Sequence, residues 1–130
     1  MKVSVKREGK VVAFKIEVGR IKVPFRNLCM LMYETDMYKH WFPFTKESKR
    51  LYKTRETSQL TYFKVWCPPP ISNRYSNMYG CGMNRLFTKH KSIVCMAKSI
   101  DVNGETEFMG IPLRHEGGYR MITHFFAFEI

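Results

Sequence analysis

The sequence has no aspartate or glutamate between residues 57 and 100, whereas six lysines and arginines lie there. A sheet built from this stretch cannot supply a carboxylate as a catalytic acid, base or magnesium ligand. The four histidines are scattered, and no H-E-x-x-H, G-x-S-x-G, P-loop or dinucleotide-binding pattern occurs. We therefore expect a protein that is not an enzyme, with no metal site and no cofactor.

Long apolar runs and paired cysteines are also missing. No stretch approaches the roughly 18 apolar residues that a membrane span requires. The N-terminus alternates apolar and charged residues, which is typical of a strand and not of a signal peptide. Cys29, Cys67, Cys81 and Cys95 form no C-x-x-C pair, so a zinc ribbon or a thioredoxin-type site is excluded. Four cysteines without a signal peptide indicate reduced thiols. We therefore expect an intracellular, cytoplasmic protein, with the organelle unspecified.

Positive charge is abundant. Twenty-two lysines and arginines against eleven acidic residues give a formal charge of +11, which favours anionic partners such as phospholipids, nucleic acid or acidic protein surfaces. The stretch from 45 to 56 is especially basic, and we expect it to contact a membrane or another anion through Lys46, Lys49, Arg50 and Lys53. The same composition is typical of a solvated loop.

A nucleic-acid surface has little support. Tyr62, Lys64 and Trp66 share one face of a predicted strand, as an RNA-binding platform requires, but no RNP-like pattern accompanies them. We do not expect nucleic-acid binding.

The patterning predicts one α+β domain over residues 1–130. Two strands come first, a helix follows over about 25–34, and a second short helix runs into Trp41–Phe42, with Asp36 as its candidate cap. A meander of about five antiparallel strands follows, predicted at 60–67, 74–83, 92–100, 105–113 and 119–130. Nine methionines and ten phenylalanines fit either an ordinary core or an internal cavity that such a sheet leaves unfilled.

Two motifs resemble the START lipid-transfer domain and its relatives in the helix-grip (Bet v 1-like) superfamily. The first is E-T-D-M-Y-K-H-W-F-P-F-T-K-E-S-K-R-L at residues 34–51, which begins with an acidic-aromatic stretch that ends in tryptophan followed shortly by proline. The second is P-P-P-I-S-N-R at residues 68–74, which is similar to a "proline, apolar, Ser, x, Arg" turn between two strands. The order of strands and helices agrees over most of the chain.

The resemblance implies a curved antiparallel sheet around a hydrophobic tunnel that holds a lipid or sterol. It implies that Trp41 and Pro43 pack beneath the sheet rim and that Arg74 begins a strand facing the tunnel. The ligand-binding residues that we predict are Tyr62, Trp66, Arg74, Met78, Met83 and Phe126, without knowing which strand parity points inward.

The sequence ends at Ile130 in strand-like residues, so we expect a START-like module that lacks the C-terminal helix. Its apolar concave face would then need cover from a missing helix, a second copy or a protein partner. The leading hypothesis is non-catalytic lipid binding and transport. The alternative is a degenerate START-like interaction subunit docked in a larger assembly.

Overall fold

The computed structural model describes residues 2–19, 21–89, 91–116 and 118–130. The chain divides into two compact units, Met1–Met32 and Tyr33–Ile130. Each unit is described by itself below, and the sequence prediction of one domain over residues 1–130 stays a prediction. Within the described ranges, no helix is both long and apolar enough to cross a membrane.

The first unit contains a β-hairpin. Strands β1 (Lys2–Glu8) and β2 (Val11–Glu17) pair antiparallel over their full length, from Lys2 opposite Glu17 to Glu8 opposite Val11. Gly9 sits in the two-residue turn at a φ of 59°, a backbone conformation that glycine adopts without the steric cost other residues meet.

Three short helices follow. Helix α1 (Phe25–Tyr33) begins directly after Pro24, whose carbonyl accepts hydrogen bonds from the backbone of Asn27 and Leu28. A 3-10 helix (Thr35–Met37) leads into helix α2 (Tyr38–Trp41), which ends before Pro43 because the residue preceding proline avoids the helical region.

The second unit is built on an antiparallel sheet in the order β10-β6-β5-β4-β3, and β9 adds to β5 in parallel. Strands β7 and β8 form a separate small hairpin. The bounds are β3 Thr45–Arg55, β4 Ser58–Val65, β5 Arg74–Arg85, β6 Ser92–Ser99, β7 Glu107–Phe108, β8 Ile111–Pro112, β9 Tyr119–Arg120 and β10 Phe126–Glu129.

The predicted α+β class, with an antiparallel sheet after short helices, is confirmed. The basic stretch is not a loop, because it forms β3, a strand at one edge of the sheet in which six of eleven residues are charged. An edge strand tolerates this many charged side chains since it has one neighbour only. The register of β3 against β4 shifts at three places, and such bulges bend a strand and increase its twist. The last two predicted strands are shorter than expected and broken by turns.

The register assigns each side chain of the sheet to one of two faces, because residues directly opposite in an antiparallel pair point the same way. We call the face that meets the Tyr33–Trp41 segment the helix-side face; across the sheet it carries Arg50, Lys53, Gln59, Thr61, Phe63, Arg74, Ser76, Met78, Gly80, Gly82, Cys95, Ala97, Ser99, Phe126 and Phe128. The other face meets residues 101–116, and we call it the loop-side face; it carries Leu60, Tyr62, Tyr75, Asn77, Tyr79, Cys81, Met83, Val94 and Met96.

Candidate ligand-binding face of the sheet

The loop-side face is closed by a polar network. The side-chain amide of Asn77 donates to Asp101 Oδ2 at 2.9 Å and to the carbonyl of Arg114 at 2.8 Å, while the backbone N–H of Arg114 donates to Asn77 Oδ1 at 3.3 Å. Asn77 and Asp101 are both fully buried. The Asn77 side chain thus holds the 101–116 segment against the sheet near both of its ends, through one hydrogen bond to Asp101 and two to the backbone of Arg114.

The same face is sealed at Tyr62, which is 0% exposed. Its hydroxyl donates to the carbonyl of Glu116 at 2.9 Å, and the Arg114 guanidinium lies 4.6 Å from the centre of its ring. Arg114 also bonds Glu47 at 2.6 Å and Glu116 at 3.0 Å, and these carboxylates raise the pKa of Arg114. Burial, followed by the nearby charge of Glu47, raises the pKa of the Tyr62 phenol. This face leaves Tyr62 no access to a ligand.

The helix-side face is covered at one end by the Tyr33–Trp41 segment. Tyr38 is buried, and its ring lies 5.5 Å from the Phe63 ring at a tilt of 43°. This burial is the largest cause of the strongly raised pKa of the Tyr38 phenol. Ser48 joins β3 to the segment: it accepts from the backbone N–H of Lys39 at 3.1 Å and donates to the carbonyl of Asp36 at 3.4 Å.

The sequence predicted Asp36 as the cap of α2, but Asp36 does not cap this helix. Its Oδ1 instead accepts a hydrogen bond at 2.7 Å from the backbone N–H of Arg50, next to a register shift of β3. Trp41 is likewise not beneath the sheet: it is exposed and makes an edge contact with Tyr38 at 5.0 Å. The aromatic side chain that packs on the sheet is Tyr38, three residues earlier.

Three buried polar atoms at this covered end have no hydrogen-bond partner among the described residues: the Tyr33 hydroxyl, Thr35 Oγ1 and Gln59 Oε1. The Gln59 side-chain amide donates to the carbonyl of Tyr33 at 3.2 Å, so the two residues are neighbours. Arg50 and Lys53 place their cationic groups 5.5 and 5.6 Å from the centre of the Tyr33 ring. A buried polar atom left unpaired costs about 1–3 kcal/mol, so this end of the face favours a polar group that can bond to it.

From Gln59 toward β10, the helix-side face has an apolar row. One cross-strand row runs from Lys53 through Gln59, Gly80 and Ala97 to Phe126, one residue from each of five adjacent strands. Strands lie about 4.8 Å apart, so Gln59 and Phe126 are separated by about 14 Å. Only a hydrogen and a methyl group stand between them. Beside the row, Met78 is 7% exposed, and the rings of Phe126 and Phe128 meet at 4.7 Å.

The structure divides the six predicted ligand-binding residues between different places. Met78, Phe126 and Arg74 lie on the helix-side face, where Arg74 stacks at 5.2 Å over Tyr119. Tyr62 and Met83 lie on the loop-side face, Tyr62 buried and Met83 48% exposed. The sixth residue, Trp66, follows the end of β4 and stacks on Phe44 at 6.4 Å.

The four predicted anion contacts do not form one surface either. Lys46 and Lys49 are exposed, and Lys49 lies opposite Tyr62 on the loop-side face. Arg50 and Lys53 lie on the helix-side face, where Arg50 pairs with Glu34 at 3.2 Å and with Asp36 at 3.6 Å. The alternation of a strand, which the charged sequence did not reveal, separates these residues.

Among the described residues, no group of three or more histidine, cysteine, aspartate or glutamate side chains could hold a metal ion. All four cysteines, each within the described ranges, lack a disulfide.

No protein-family model and no curated protein sequence matches this chain. The structure is similar to the crystal structure of a STAR-related lipid transfer protein from Xanthomonas axonopodis (fragment 25–204), with a TM-score of 0.61 and 15% sequence identity. The match covers 98% of this chain and 79% of that chain. The chain has a START-like fold. The resemblance drawn from the sequence motifs is therefore confirmed at the level of the fold.

Proposed function

We propose that this chain is a non-catalytic module that binds one amphiphilic lipid or sterol on the helix-side face. The observation that carries the proposal is the polarity of the row from Gln59 to Phe126, which is polar at its covered end and apolar for about 14 Å beyond it. An amphiphile has the same division into a polar group and an apolar body.

The polar and the apolar end of the row would bind the ligand through different interactions. Gln59 Oε1, Thr35 Oγ1 and the Tyr33 hydroxyl would form the hydrogen bonds that they lack with a polar headgroup. The nearby Lys53 would favour an anionic or strongly dipolar headgroup, whereas Arg50 is already paired with Glu34 and Asp36. Phe126 and Phe128, which are partly exposed, would lose water-exposed area against the apolar body, at roughly 25 cal/mol for each Å². Lipid transfer by the similar Xanthomonas protein agrees with this proposal.

A matched pair of variants tests it. Ala97→Phe places a ring in the middle of the helix-side row, between Gly80 and Phe126. Ala127→Phe makes the same change on the adjacent strand, but Ala127 lies opposite Met96 and so points to the other face. Native mass spectrometry of gently purified protein should find a bound amphiphile on the wild type and on Ala127→Phe, and at least tenfold less on Ala97→Phe.

Equal loading of the two variants would contradict the assignment to the helix-side face. Wild-type protein that stays empty after incubation with mixed phospholipids, fatty acids and sterols would contradict lipid binding itself.

A further inference from the structure

The N-terminal hairpin has one apolar face. Across β1 and β2, Val3 lies opposite Ile16 and Val5 opposite Phe14, so four large apolar side chains share this face, and Val12 extends it toward the turn. All five are exposed, Val5 to 61% and Phe14 to 70%. A contiguous apolar patch in water indicates a surface that something covers, and a two-stranded hairpin alone is marginally stable in water.

The charges of the hairpin are arranged around this face. On the opposite face, Lys6 pairs with Glu8 at 2.5 Å and Lys15 with Glu17 at 2.6 Å, so these lysines are neutralised locally. Arg7 and Lys10, next to the Gly9 turn, form no ion pair within the described residues. Arg7 lies opposite Val12 and thus borders the apolar face itself.

The sequence of the first unit strengthens this asymmetry. Residues 1–32 hold eight lysines and arginines against two glutamates, so this quarter of the chain carries a formal charge of +6 out of the total of +11. Two such units brought face to face would repel each other, which disfavours a second copy as the cover. An anionic surface with an apolar interior complements both the charge and the apolar face.

We propose that the apolar face of the hairpin inserts into the surface of an anionic membrane, with Arg7 and Lys10 contacting lipid headgroups. The inserting residues are Val3, Val5, Val12, Phe14 and Ile16. Docking of this kind needs no lipid in the sheet, so it stands independently of the proposed ligand.

Flotation of the full chain with vesicles tests the charge contribution. The wild type should float with phosphatidylcholine vesicles containing phosphatidylserine, and much less with phosphatidylcholine alone. Arg7→Gln combined with Lys10→Gln should weaken partitioning roughly fivefold for each cation removed. Lys46→Gln combined with Lys49→Gln removes the same charge from β3 and is the matched control, which should change binding less than twofold.

Insertion is tested by fluorescence. Phe14→Trp should add an emission component that shifts to shorter wavelength when anionic vesicles are added. Phe87→Trp, at a phenylalanine 97% exposed in the second unit, should add one that does not shift. Val5→Ser combined with Phe14→Ser should abolish flotation, whereas Phe87→Ser should leave it unchanged.

Four results would overturn the proposal: equal binding to neutral and anionic vesicles, a larger loss from the β3 charge pair than from the hairpin pair, no spectral shift at position 14, or a dimer in light scattering that Val5→Ser with Phe14→Ser dissociates. The last result would assign the apolar face to a second copy of the chain.

Discussion

The two faces of the second unit's sheet differ although they share the same strands. On the loop-side face, a 16-residue segment is held by side chains from β3, β4 and β5, and Tyr62 and Asn77 are completely buried. On the helix-side face, the row across the strands passes through the small residues Gly80 and Ala97. Within the described residues, three buried polar atoms at its covered end lack partners, against one, Asp101 Oδ1, on the loop side. The difference indicates that the loop-side face stabilises the fold and that the helix-side face is where a ligand can add contacts.

The largest effect is expected on the loop-side face. Tyr62→Ala removes a fully buried ring together with its hydrogen bond to Glu116 and its contact with Arg114, so the free energy of unfolding should fall by about 3–5 kcal/mol. Met83→Ala, on the same face but half exposed, should cost about 1 kcal/mol or less. Chemical denaturation measures both, and similar losses for the two variants would contradict the described burial.

The Asn77 network should come next. Asn77→Ala leaves the Asp101 carboxylate buried without its donor, which should lower the free energy of unfolding by about 3 kcal/mol. Adding Asp101→Ala should recover part of that loss, because the double variant no longer buries an unpaired charge. A double-mutant cycle measures the coupling. Additive losses would show that Asn77 does not hold the 101–116 segment through Asp101.

The smallest effect concerns Tyr38 on the helix-side face. Burial raises its pKa above the ordinary 10.0, so the unfolded chain loses this proton at a lower pH than the folded protein does. The stabilisation from the neutral phenol is therefore complete below pH 10.0 and is lost as the pH rises above it. Tyr38→Phe should flatten the alkaline fall in stability. The exposed Tyr52→Phe is the control, and equal slopes for the two variants would contradict the burial of Tyr38.

Much of the fold follows from local sequence pattern. The helix predicted over about 25–34 forms at Phe25–Tyr33, and the strands predicted at 74–83 and 92–100 form at Arg74–Arg85 and Ser92–Ser99. These segments have clear periodicity between strong turn residues, so local physics decides them. Strand β3 was missed because an edge strand can be mostly charged, and its alternation is interrupted by register shifts.

The site was harder to predict, because a face is decided by contacts far apart in sequence. Asn77 lies on the loop-side face and bonds Asp101 and Arg114, 24 and 37 residues away, and no local pattern marks those partners. Without them the parity of β4 and β5 was undetermined, and the predicted set therefore mixed Met78 with Tyr62. One signal was available: Asp101 is the first carboxylate after a long acid-free stretch, and such a residue is a candidate partner for a polar side chain within the sheet.

Photo-crosslinking tests the central claim most directly. A fatty acid carrying a diazirine near the end of its chain is incubated with the full protein without vesicles, and the labelled residues are located one by one by fragment-ion mass spectrometry. The label should fall on Met78, Ala97 or Phe126, and Ala97→Phe should suppress it. Labelling that instead falls on Tyr79, Met83 or Val94 and persists in Ala97→Phe would place the ligand on the loop-side face and contradict this account.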